Sequence, residues 1–219
     1  MSSEHTESVI LLHGMMRTYR CMRRLEKHLV KHGYRVLNLD YPSSRKSLED
    51  LIDHMHPAID DFNKDTTGPV HFAGYSMGGL LIRAYLHKYR PLNLGRVVMI
   101  GTPNKGSEVA DFLQNFWPYK KFYGPAGQQL ITNQTGFNHI FGPIDFPLGV
   151  IAGNRPLDFI SSYIIGQPND DKVSIESTKI DGMTDHIIIP ASHTFIARHN
   201  ETLSNTLKFF QDGSFSSIS

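Results

Sequence analysis

Cysteine is almost missing from these 219 residues: Cys21 stands alone, so no internal disulfide can form. An excess of one charge is missing too. The formal net charge is +1 and no long single-sign run occurs, which removes the electrostatic case for nucleic acid as a partner. No apolar run approaches the roughly 20 residues that a bilayer crossing needs. Met1–Ser8 lacks the basic start and apolar centre of a signal peptide, so the expectation is a cytoplasmic protein. The two glycosylation sequons, at Asn133 and Asn200, are then read as chance matches.

Metal and nucleotide signatures are also incomplete. His54 and His56 lie two apart on a helical stretch and cannot face one ion, while His28 and His32 share a face without a carboxylate or cysteine cluster beside them. Gly101 and Gly106 have the spacing of a phosphate-binding loop, yet Ser107-Glu108 stands where Lys-Ser/Thr is required. Asn104-Lys105 has the start of a guanine-recognition pattern, but its aspartate position is Ser107. Neither a metal nor a cofactor is expected.

What the chain does have is an ordinary globular composition, 40% hydrophobic and 20% charged, enough for one α/β domain over 1–219. Its centre is Val70–Leu81. Val70–Ala73 predicts a short buried strand, Leu80–Tyr89 a helix, and between them lies Gly74-Tyr75-Ser76-Met77-Gly78. That is the G-x-S-x-G pattern in a strand–turn–helix setting, which marks Ser76 as a nucleophile. Glycine is required two residues to either side because a Cβ there would strike the neighbouring strand and helix. The Met77 N–H, at the helix start, is a free donor at the positive end of the helix dipole.

The other elements alternate around this one. Strands are expected at Ser8–Leu12, Tyr34–Leu39, Gly95–Ile100, Leu148–Ala152 and His186–Ile189. Helices are expected at about Thr18–His32 (Met22, Leu25, Leu29 and Val30 inward, Gly33 as stop), from Ser47 through Phe62 after a capping signature, near Leu157–Ile164, and at Ala197–Gln211. Gly213 onward reads as a frayed tail. About 107–146 is an aromatic-rich insertion holding Phe112, Phe116, Trp117, Tyr119, Phe122, Tyr123 and Phe137. It either covers the sheet or caps an apolar acyl pocket, and Lys120 and Lys121 would suit weak contact with a membrane surface.

Six strands alternating with helices predict a mainly parallel sheet with helices on both faces, and an active site at the carboxyl ends of the strands. Those ends carry His13-Gly14-Met15, Ser76, Gly101–Ser107, Asp170/Asp171 and His193. A serine hydroxyl needs a base, and the base a carboxylate, in the order Ser, Asp, His.

With His13-Gly14 after the first strand, GYSMGG at 74–79, GTPNKGS at 101–107, NDDKVS at 169–174 and SHTF at 192–195, the chain resembles the α/β-hydrolases, in particular their small lipase and esterase branch. The resemblance implies a minimal α/β-hydrolase fold without the opening strands of larger members. It implies Ser76 as nucleophile, His193 as general base and then acid, Asp170 as the carboxylate, and the Met15 and Met77 amides as oxyanion hole. Asp171 occupies the glycine of the family's D-G-x-V pattern, leaving it as the competing acid, and Asn104 replaces a histidine common after GTP. The expected activity is hydrolysis of a small-molecule or lipid acyl ester through an acyl-serine. A thioesterase, amidase or acyltransferase would use the same residues, and a binding module with a vestigial site is the reading of another class.

Overall fold

The computed structural model describes residues 7–106, 140–157, 162–163 and 165–215. Six strands, β1 (Ser8–Leu12), β2 (Arg35–Leu39), β3 (Val70–Tyr75), β4 (Leu94–Ile100), β5 (Leu148–Gly153) and β6 (Asp185–Ile189), form one sheet in the order β2-β1-β3-β4-β5-β6. All neighbours pair in parallel, with Leu12 beside Gly74 and Tyr75 beside Ile100, so the carboxyl ends of β1, β3 and β4 lie level.

Period-two alternation divides the core. Ile10, Leu12, Phe72, Val97, Met99 and Val150 face helices α2 (Leu48–Lys64) and α3 (Met77–Tyr89). Val9, Leu11, Ala73, Val98, Ile100 and Ile151 face α1 (Arg23–Lys31) and, at the other end of the chain, a helix over Asn200–Asp212. Both faces of the central strands are buried, which is why these strands read as continuous apolar runs. Two four-residue helices follow, α4 (Ile175–Thr178) and α5 (His193–Ile196), with the Asn200–Asp212 helix as α6.

Several expectations need correction. The helix expected from Thr18 opens as a 3₁₀ turn over Tyr19–Cys21, and α1 itself runs from Arg23. Met22, Leu25 and Leu29 are buried, but Val30 is turned about 100° away and is 55% exposed. The helix after the elbow starts at Met77, three residues before Leu80, because Gly78 and Gly79 are helical in spite of their low propensity. The tail is not frayed at Gly213. That glycine caps α6 at φ 79°, and Phe215 folds back to pack, tilted, with its ring centroid 5.0 Å from that of Phe209 and its N–H donated to Asp185 Oδ2. The aromatic segment over 107–139 and most of the expected helix near 157–164 lie outside the described residues. Of the insertion's end, Ile140 and Phe146 are buried against the α2–α3 face. Among the described residues no helix is long and apolar enough to cross a membrane.

Candidate active site

The turn between β3 and α3 holds Ser76 at φ 54°, ψ −124°. A β-substituted residue rarely adopts this conformation, and the strain is about 1–3 kcal/mol. It is held by surrounding bonds: the Ser76 N–H donates to Ile100 O at 2.8 Å, and the Ser76 carbonyl accepts from Gly79 N–H and Thr102 Oγ1, each at 3.0 Å. The two flanking glycines are steric necessities. A Cβ on Gly74 would lie 2.5 Å from Gly79 N, and one on Gly78 would overlap the Leu12 carbonyl oxygen.

Two segments distant in sequence meet the serine. His193, at the start of α5 just beyond β6, puts Nε2 3.0 Å from Ser76 Oγ. Its Nδ1 lies 2.8 Å from Asp170 Oδ2. Asp170 is 1% exposed, in a tight turn closed by the Asn169–Ser174 bridge, and its Oδ1 accepts the N–H groups of Lys172 and Val173 at 3.1 and 3.0 Å. Those bonds fix the carboxylate and satisfy the charge that burial would otherwise penalise. The imidazole is fixed through its backbone: His193 N–H donates to Asp170 O at 2.6 Å, and the Tyr75 hydroxyl donates to His193 O at 2.8 Å. Gly101, at φ +56°, lets β4 end directly against this pair, since a Cβ there would be 3.2 Å from Asp170 Oδ2. The adjacent Asp171 turns elsewhere. Its φ of 95° swings the side chain to accept the Leu157 N–H.

Beyond β1 the chain turns at Gly14, close enough to the elbow that a Cβ on this glycine would be 3.1 Å from Ser76 Cβ. The N–H groups of Met15, in this turn, and Met77, next to the serine, have no acceptor among the described residues. The turn is anchored by the loop after β2, a role for which sequence reasoning assigned no residue. Tyr41 stacks on His13 at 3.9 Å, its hydroxyl donates to the His13 carbonyl, and Ser43 Oγ accepts the Met16 N–H at 3.1 Å. Asp40 Oδ1 lies 3.3 Å from His13 Nε2. Burial pushes the His13 pKa below its ordinary value, partly opposed by Gly14 O and Asp40. The one sequence signal was that the Asp40–Ser44 turn cluster ends a strand at the same edge as Ser76.

The remaining candidates lie apart. Asn104 donates to Thr178 O at 2.8 Å and accepts from Arg83, tying the loop after β4 to α4. His71 is buried against Glu7. His56 stacks on Tyr89, and the His28 and His32 rings pack 4.5 Å apart. Among the described residues no group of three or more His, Cys, Asp or Glu is placed to hold a metal ion.

A serine, an imidazole and a buried carboxylate in hydrogen-bonded series, beside two N–H donors without an acceptor among the described residues, can deprotonate a hydroxyl and receive a developing oxyanion. Comparison with known proteins agrees with this fold. Residues 7–142 match the family described as alpha/beta hydrolase fold. In sequence, the chain is similar to a lysosomal thioesterase PPT2 homolog of Drosophila melanogaster, 26% identical over 202 residues, covering 76% of this chain and 67% of that protein. In structure, it is similar to the Bacillus licheniformis lipase BlEst2. The propeptide form superposes with a TM-score of 0.82 at 18% identity, over all of this chain and 53% of the other, so the chain spans about half of that form. The mature form gives 0.76 at 18% identity, over 96% of this chain and 93% of the other. Phospholipase PlaB from Legionella pneumophila gives 0.72 at 15% identity, covering 92% of this chain and 57% of that one.

Proposed function

The chain belongs to the alpha/beta hydrolase fold family, and from that premise we propose that it hydrolyses carboxylic esters through an acyl-serine intermediate. The observation that carries the reading is the continuous series Ser76 Oγ, His193 Nε2 at 3.0 Å, and His193 Nδ1 to Asp170 Oδ2 at 2.8 Å.

Ser76 Oγ attacks the acyl carbon as His193 Nε2 takes its proton. Asp170 holds the Nδ1–H tautomer and stabilises the imidazolium that forms. The carbonyl oxygen, now carrying the negative charge, accepts the Met15 and Met77 N–H groups; losing one such donor costs on the order of 3–4 kcal/mol. Collapse expels the alkoxide, which takes the proton from His193, and leaves the acyl group on Ser76. Water then attacks, giving its proton to His193, and Ser76 departs with that proton as the acid is released.

A thioester is the second reading, favoured by the thioesterase name of the Drosophila relative. A thiolate is the better leaving group, so the same residues suffice. The test is kinetic: p-nitrophenyl esters of increasing chain length, and a matched thioester, are offered to wild type and Ser76→Ala. The account expects wild-type turnover and a loss of about 10³-fold or more in the variant. Equal rates in the two proteins would end it, and the ester-to-thioester ratio ranks the two substrates.

A further inference from the structure

A cavity of about 440 Å³ opens beside the β1-end turn, lined by Met16, Arg17, Thr18, Asp40 to Arg45 and His54. Its lining begins at Met16, the residue after the proposed oxyanion donor Met15. Arg17 follows Met15 by two residues, so their Cα atoms lie within about 7 Å. Burial drives the pKa of the Tyr75 hydroxyl up, and the nearby Arg17 cation opposes the rise. That hydroxyl bonds the His193 carbonyl.

The lining is rich in donors and unbalanced in charge. Arg17 and Arg45 form no ion pair with any described carboxylate. The lone acid of the cavity, Asp40, is already engaged by the Tyr19 N–H at 3.1 Å and by His13. Ser43 Oγ accepts the Met16 N–H, which leaves its own proton free to donate, and the Thr18 and Ser44 hydroxyls are close by. Two planar guanidiniums and several hydroxyl donors lining one cavity suit an anion with several oxygens at one centre.

We propose that this cavity binds a phosphate group carried on the substrate, between Arg17 and Arg45, and that the preferred substrates are acyl esters of phosphorylated alcohols. The inference rests on the ester-hydrolase reading and narrows its substrate class. The phosphate sits a few bonds from the scissile carbonyl and takes no part in bond making; its binding draws the ester toward Ser76.

The experiment compares kcat/KM for 1-butanoylglycerol 3-phosphate, 1-butanoylglycerol and 1-butanoylglycerol 3-succinate, read as butyrate release, in wild type, Arg17→Gln and Arg45→Gln. The proposal expects wild type to favour the phosphate ester over the neutral one by about tenfold or more. It expects either substitution to shrink that ratio several-fold, and added salt to shrink it in wild type. A purely structural role for the arginines would lower both rates together and leave the ratio intact, which overturns the assignment. So would a wild-type ratio near one, or a preference for the succinate ester. If p-nitrophenyl esters are hydrolysed but the phosphate ester is not, the substrate class is wrong and the esterase reading stands. If none is hydrolysed and a fluorophosphonate leaves Ser76 unlabelled, the esterase reading itself fails.

Discussion

Replacing Asp170 by asparagine changes a single atom in the buried series and should silence it through the tautomer of His193. The asparagine amide has two orientations. With its oxygen in the place of Oδ1, it keeps the N–H groups of Lys172 and Val173, now at 3.1 and 3.0 Å from the carboxylate. With its nitrogen there, two N–H donors would face an NH₂ and both bonds would be lost. At about 1–3 kcal/mol per unsatisfied buried group, that orientation is disfavoured by about 2–6 kcal/mol. The amide NH₂ therefore points at His193 Nδ1, which lies 2.8 Å from Oδ2 in the native protein. Nδ1 must then accept, so the proton moves to Nε2, and the nitrogen facing Ser76 becomes a donor unable to take the serine proton. A loss of about 10⁴-fold in kcat follows, equivalent to about 5.5 kcal/mol of barrier. The assay is p-nitrophenyl butyrate hydrolysis at neutral pH, with circular dichroism confirming an unchanged fold. A variant within tenfold of wild type would refute the tautomer argument.

Ser43→Ala removes the acceptor for Met16 N–H and should lower kcat about tenfold through a loosened oxyanion turn, with kcat and thermal midpoint measured together; a fall in stability at constant kcat would count against it. Gly78→Ala should destabilise the protein by about 3 kcal/mol or more, because its Cβ meets the Leu12 carbonyl, whereas Gly33→Ala, with nothing within 4 Å at φ +90°, should cost about 1–2 kcal/mol of backbone strain. Urea unfolding of the two variants reads the contrast. Acid sensitivity follows from buried histidines: burial lowers the pKa of His71, against the opposing bond to Glu7, and likewise lowers His13 and His186. The unfolded chain then binds more protons than the folded one below about pH 6.5, so stability is full above that pH and falls as pH drops. Thermal midpoints at pH 7.5 and 5 should differ in that direction; a higher midpoint at pH 5 would contradict the sign.

The elbow was legible in the sequence because its chemistry and its sterics demand the same few letters. Gly74 and Gly78 are constrained by atoms of α3 and of the end of β1, so the pattern survives without coordinates. The two adjacent aspartates show where letters stop deciding. Asp171 takes a φ of 95° in the turn closed by the Asn169–Ser174 bridge and aims away from Asp170, a backbone geometry that two identical letters do not announce. Tyr41 and Ser43 escaped a role for a similar reason. They act on the β1-end turn through space, and a Pro/Ser-rich turn carries no periodicity to say what it touches. Phe215 was hidden in a polar tail where one aromatic leaves no pattern, yet it is buried on Phe209. Val30 failed by a single helical step, the smallest error that turns a side chain from core to solvent.

The central claim is that Ser76 is the nucleophile activated by His193. Wild type, Ser76→Ala and His193→Ala are treated with a fluorophosphonate, and the modified peptide is mapped by mass spectrometry. The account predicts one adduct in wild type, on Ser76, none in Ser76→Ala, and labelling slowed by orders of magnitude in His193→Ala. An adduct on another residue, or equal labelling of all three proteins, would contradict it.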